Sequence, residues 1–199
     1  MARVAAAGQP LGAVEWDSIA HGVRAADALV KVAPVTPMVF RAVTPGRYFA
    51  LFSGEVEAVQ SATARAIEVG GASVLDHLVL PNPHKSLLAV IDGKAPSEPL
   101  EAIGIIETLT MCSLILAADA AAKCGDVRLH EIRLAMGLGG KAFVVISGEV
   151  SSVEAAVERG AAVAAERGYL LESVVIPRPD PVALDFLTRP ASPFRDFEL

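Results

Sequence analysis

The chain has 199 residues, 53% of them hydrophobic and 20% charged, which supplies a buried core and excludes a disordered chain. A net charge of −6 excludes the basic face that general nucleic-acid binding requires. No apolar run reaches about 18 residues, so no membrane-spanning helix is expected.

Residues 1–10 lack the long apolar segment of a secretory signal and are read as an N-terminal extension. Ala13–Trp16 reads as a short strand. Asp17 is expected to cap a helix running to about Val32. Ile19, Val23, Ala26 and Val30 recur at helical spacing and are expected to form its buried face. Strands follow at about Met38–Val43 and Arg47–Ser53. A second helix is expected over about Val56–Val69, stopped by Gly70-Gly71, and the last strand is about Ser73–Leu80.

The same order then returns. Ala102–Glu107 reads as a strand, Met111–Cys124 as a helix, and Val127–Ala135 and Lys141–Ser147 as strands. Val150–Glu166 reads as a helix and Leu170–Ile176 as a strand. The polar pair His130-Glu131 interrupts its strand and marks a bulge. Lys85–Ile91 and Val182–Leu187 each read as a short helix after their copy. The expected domains are 11–91 and 101–187, with a Gly- and Pro-containing linker over 92–100 and a tail over 188–199. Cys112 and Cys124 share one helix about 18 Å apart, beyond disulfide reach of about 7 Å. The cytoplasm suits these features.

The duplication is visible residue by residue. Gly12-Ala13-Val14-Glu15 matches Gly104-Ile105-Ile106-Glu107 at an offset of 92, as Ala25–Ala28 matches Ala117–Ala120 and Lys31 matches Lys123. Ser53-Gly54-Glu55-Val56 matches Ser147-Gly148-Glu149-Val150 at 94, and Pro81-Asn82-Pro83 matches Pro177-Arg178-Pro179 at 96. Two copies, each β-α-β-β-α-β, imply an α+β chain of two tandem ferredoxin-like domains.

Chemistry-bearing motifs are sparse. Gly137–Lys141 lacks the spacing, the Ser/Thr and the following helix of a phosphate loop, so it reads as a turn between strands. His21, His77, His84 and His130 show no metal-ligand spacing with the cysteines, and no metal or cofactor is expected. His21 and His130 read as surface or packed residues. The repeated carboxylates, Glu15 with Glu107 and Asp27 with Asp119, read as structural devices. No Ser-His-Asp or Cys-His order is apparent, so no catalytic residue is assigned.

The second copy resembles a bacterial microcompartment shell domain through Ala102–Thr108, Ala117–Lys123, Gly139–Phe143, Gly148-Glu149-Val150 and Val175–Pro179. The first copy carries a weaker version in Ala25–Lys31, Ser53-Gly54-Glu55 and Leu80–Pro83. The element order is that of the non-permuted, tandem-domain members. The resemblance implies a shell protein, not an enzyme, forming a homotrimer of pseudohexameric shape. Its partners would be other copies, other shell proteins edge to edge, and small polar or anionic metabolites, with no nucleic acid or membrane. Lys31, Lys123 and Arg178 would serve the tile edge, with Asn82 in the place of the first copy's Arg.

By the same resemblance, a central pore would be lined by Val43, Thr44, Pro45 and Gly46 and by Gly137, Leu138, Gly139 and Gly140. The second loop is two residues longer, which makes the pore threefold. Arg47 and Lys141 would either add positive potential there or point away. Some tandem relatives hold an iron–sulfur cluster through a Cys before Pro-Gly. Thr44 stands there in this chain, and clusters need thiolates. Thr44→Cys is expected to let a trimer accept a cluster, and a reconstituted variant without visible absorbance would count against that geometry. Two other readings stay open at this level: a ferredoxin-like regulatory trimer binding a small effector between subunits, and an enzyme on the doubled scaffold.

Overall fold

The structure is a computed structural model that describes residues 8–94 and 101–182. Most of the expected N-terminal extension and linker, the segment after Val182 and the tail lie outside the described residues. The chain divides into two units, residues 1–83 and 84–199.

In the first unit the elements are β1 (Leu11–Trp16), α1 (Ile19–Val32), β2 (Thr36–Val43), β3 (Arg47–Ser53), α2 (Val56–Gly70) and β4 (Val74–Leu80). They form an antiparallel sheet ordered β2-β3-β1-β4. In the second unit α3 (Leu87–Ile91) precedes β5 (Ala102–Thr108), α4 (Met111–Cys124), β6 (Val127–Leu134), β7 (Ala142–Gly148), α5 (Val150–Glu166) and β8 (Leu170–Pro177). Its sheet order, β6-β7-β5-β8, repeats that of the first. The register slips between Leu129 and Glu131, which places the expected bulge at His130; β2 carries its twin between Pro37 and Val39.

Close packing over each sheet explains two repeated glycines. The core of the first unit joins Val14, Trp16, Ala50 and Phe52 of the sheet to Ala25, Ala26 and Leu29 of α1 and to Val59, Ala62 and Ala66 of α2. A Cβ at Gly12 would overlap the Phe52 ring, and one at Gly104 would overlap Val157 of α5. Gly12→Ala and Gly104→Ala should each lower unfolding stability by about 1–3 kcal/mol, as overpacked cores do. Denaturant midpoints check this; unchanged midpoints would show that the helices can retreat.

Three expectations are corrected. Ser18, not Asp17, caps α1: its hydroxyl accepts from the His21 amide at 3.3 Å, while the Asp17 amide donates to the Ser73 carbonyl. Thr110 plays the same part for α4. The buried face of α1 is Gly22, Ala25, Ala26 and Leu29; Ile19, Val23 and Val30 are exposed. Small residues let α1 lie close to the sheet, where Gly22 meets Tyr48 and any Cβ would clash. Finally, α3 packs on β6 and α4, so residues 84–91 belong with the second unit.

Candidate pore loops and tile-edge residues

Each unit joins its second and third strands by a turn built on left-handed backbone. In the first, Thr44–Gly46 are exposed, the Gly46 amide donates to the Val43 carbonyl at 2.9 Å, and Gly46 has φ 105°. In the second, Ala135, Gly137, Gly139 and Gly140 all have positive φ. The loop is closed by the Ala135 amide donating to Lys141 O at 3.0 Å and the Lys141 amide donating to Leu138 O at 3.2 Å. Glycine tolerates such backbone without strain, which is why it dominates the second loop. Thr44, Pro45, Gly46, Gly137 and Gly139 are exposed and Leu138 half-buried, but Val43 and Gly140 are buried within the chain.

The cations after the loops turn back to the sheets. Arg47 Nη1 lies 2.7 Å from Glu15 Oε1, and Lys141 Nζ lies 3.1 Å from Glu107 Oε1. Glu15 lies directly opposite Phe49, two residues beyond Arg47, so the pair is a diagonal cross-strand contact. Glu107 opposite Phe143 repeats it. Glu15 and Glu107 are therefore countercharges for the loop cations. The two pairs differ in burial: Glu15 is fully buried, whereas Glu107 is partly open to water.

The four residues expected at a tile edge occupy two kinds of place. Lys31 and Lys123 end α1 and α4, and each pairs with the Asp one turn earlier, Asp27 or Asp119, at 2.6 Å. Asp27 is exposed, but Asp119 is buried, and its other oxygen accepts from the His84 amide at 2.6 Å. Asn82 is exposed after β4; Arg178 is exposed after β8, with φ 48° and its amide donating to Glu101 O at 2.8 Å. His84 is held below the usual imidazole range, first by burial against the pull of Asp119. Burial raises the Tyr48 phenol. His130 is a packed residue, bonded through Nε2 to the Ser147 hydroxyl, with both side chains buried; His21 is exposed. Among the described residues no group of three His, Cys, Asp or Glu gathers as a metal site, and no helix is long and apolar enough to cross a membrane.

Comparing the two repeats position by position reveals a surface the sequence reading missed. On α1, Ile19, Val23 and Val30 are 42%, 49% and 39% exposed, while their counterparts Met111, Ile115 and Ala122 on α4 are buried. On β8 the relation reverses: Val174 and Ile176 are 42% and 39% exposed, while Leu78 and Leu80 on β4 are buried. Each repeat thus leaves open an apolar face that its twin has covered, and the two open faces are different faces. The sequence signal was present: α1 is apolar on two sides.

Two successive β-α-β-β-α-β sheets with glycine-bearing turns at matching positions define a tandem ferredoxin-like α+β protein. The BMC domain family matches residues 10–83 and 102–179, and the chain belongs to that family of bacterial microcompartment proteins. It is 40% identical over 171 residues to the bacterial microcompartment shell protein PduT of Citrobacter freundii, spanning 86% of this chain and 93% of that one. It is 31% identical to the carboxysome assembly protein CcmO of Synechococcus elongatus over 92% of this chain and 70% of that one. Among solved structures it is similar to a microcompartment protein from Desulfitobacterium hafniense, with TM-score 0.78, 46% identity, and 89% and 99% of the two chains covered.

Proposed function

We propose that three copies close head to tail into a pseudohexameric tile of a microcompartment shell, with the glycine-bearing turns around a central pore. The reciprocal open faces carry this reading. A surface open on α1 and another open on β8 are non-identical, and non-identical patches that mate head to tail form a ring when the rotation from copy to copy closes. Scattered exposed apolar residues need no partner, but contiguous ones mark an interface.

Around the axis the turns would alternate between Thr44–Gly46 and Ala135–Lys141, giving threefold symmetry. With Arg47 and Lys141 neutralised by Glu15 and Glu107, the pore's selectivity falls to the Thr44 hydroxyl and exposed backbone amides. These favour small polar or anionic metabolites. The tile would serve as a scaffold in the cytoplasm, without catalysis or cofactor, and would meet other shell proteins edge to edge through Lys31, Lys123, Asn82 and Arg178.

The edge assignment is tested with Lys31→Ala combined with Arg178→Ala, both exposed. Native mass should remain that of a trimer while sheets or tubes seen by electron microscopy disappear. Lys123→Ala is a poorer choice, because it would strip the buried Asp119 of its countercharge. Loss of the trimer in the double variant would place these residues at the subunit contact instead.

A further inference from the structure

We propose that the turn from His84 to Ser86 is an acid-released latch: it holds α3 on α4 and β6 while the His84 ring is neutral and frees it when the ring gains a proton. The latch lies within one copy and does not depend on the ring reading above.

The geometry fixes which ring nitrogen carries the hydrogen. The Ser86 amide, which can only donate, lies 3.4 Å from His84 Nδ1, and the Ser86 hydroxyl lies 2.7 Å from the same nitrogen. Nδ1 is therefore an acceptor, and the neutral ring carries its hydrogen on Nε2. A proton arriving at Nδ1 sets N–H against N–H and breaks the contact. That contact begins α3. The Leu87 amide donates to the His84 carbonyl at 3.0 Å, and the Val90 amide donates to the Ser86 carbonyl at 3.1 Å. Behind the turn, the His84 amide donates to the buried Asp119, which also holds Lys123. With five residues, α3 is too short to persist alone. Its place depends on this turn and on the burial of Leu87, Leu88, Val90 and Ile91.

The surroundings set the direction of the response. Burial disfavours the proton most, Asp119 of α4 draws it in, and Lys85 of the turn and Lys123 of α4 oppose it. No charge comes from α3 itself, and on β6 Glu131 is paired with Arg133 at 2.6 Å. A free imidazole titrates near about pH 6.5. The docked ring takes a proton less readily than the released one, so docking is complete above that value and weakens as pH falls below it. The second repeat has the same turn without the sensor. At the offset of 96, Asp180 stands for His84, and its carboxylate accepts from the Val182 amide at 2.8 Å. A carboxylate remains an acceptor down to about pH 4.

Hydrogen–deuterium exchange of the full-length chain tests this, each rate being divided by the intrinsic rate at the same pH. Protection of the Val90, Asp92 and Gly93 amides should fall roughly five- to tenfold from about pH 7.5 to about pH 5.5, the scale set by one imidazole proton. The amides of α5 should keep theirs. His84→Asn retains an acceptor in the place of Nδ1 but does not titrate, so its α3 protection should be equal at both pH values. Should that variant fail to hold α3 at the higher pH, His84→Asp, which copies the second repeat, is judged by the same criterion. Constant protection in the wild type, or an equal fall in the variant, would overturn the latch. A fall seen only when sedimentation shows the assembly dissociating would also overturn it.

Discussion

Val23→Asp combined with Val174→Asp should convert the assembly to monomers without unfolding the chain. Both side chains are exposed within one copy, so a carboxylate at either site is hydrated in the monomer and strains nothing. In a head-to-tail ring both become buried. Full burial of a valine-sized side chain contributes about 1.5–3 kcal/mol, and an aspartate in its place adds the cost of an unpaired buried charge. Because every contact in the ring repeats, each loss recurs around the axis. Sedimentation velocity at micromolar concentration should show a single-chain species with a native circular dichroism spectrum. A persistent trimer would mean that these faces are surface, and the reciprocal exposure would need another partner.

Arg47→Ala should cost about 3 kcal/mol of stability, and Lys141→Ala under about 1 kcal/mol, although the two cations hold equivalent places. Glu15 is fully buried, and Arg47 lies 2.7 Å away; removing the guanidinium weakens the compensation of a charge shut away from water. Glu107 is partly solvated and Lys141 half-exposed, so water replaces the lost partner. Urea denaturation of the two variants checks the contrast. Equal midpoints would show that burial does not separate the pairs.

Much of this fold was legible because it is written twice. The bounds of β3, α4 and α5 follow from turn signals and periodicity, and the bulge at His130 follows from two polar residues interrupting a strand. The cap of α1 was misread because Asp17 and Ser18 are adjacent competent caps, and chain entry after β1 decides between them. The face of α1 was misread because glycine and alanine carry little weight in an apolar pattern, yet Gly22, Ala25 and Ala26 allow the closest approach to the sheet. That α3 belongs with the second unit is a non-local fact: the short helix is apolar enough to pack on either sheet. In the loops, the glycines located the turns. The pairing of Arg47 with Glu15 needed the β1–β3 register, and the burial of Val43 and Gly140 needed the side chains around them.

The most direct test of the ring is a particle reconstruction of the purified wild-type protein by electron microscopy. It should show a flat particle of three 20.7 kDa chains with Thr44 and Gly139 of every copy encircling one threefold axis. A single-chain particle, or an assembly with Thr44 and Gly139 remote from its symmetry axis, would contradict it.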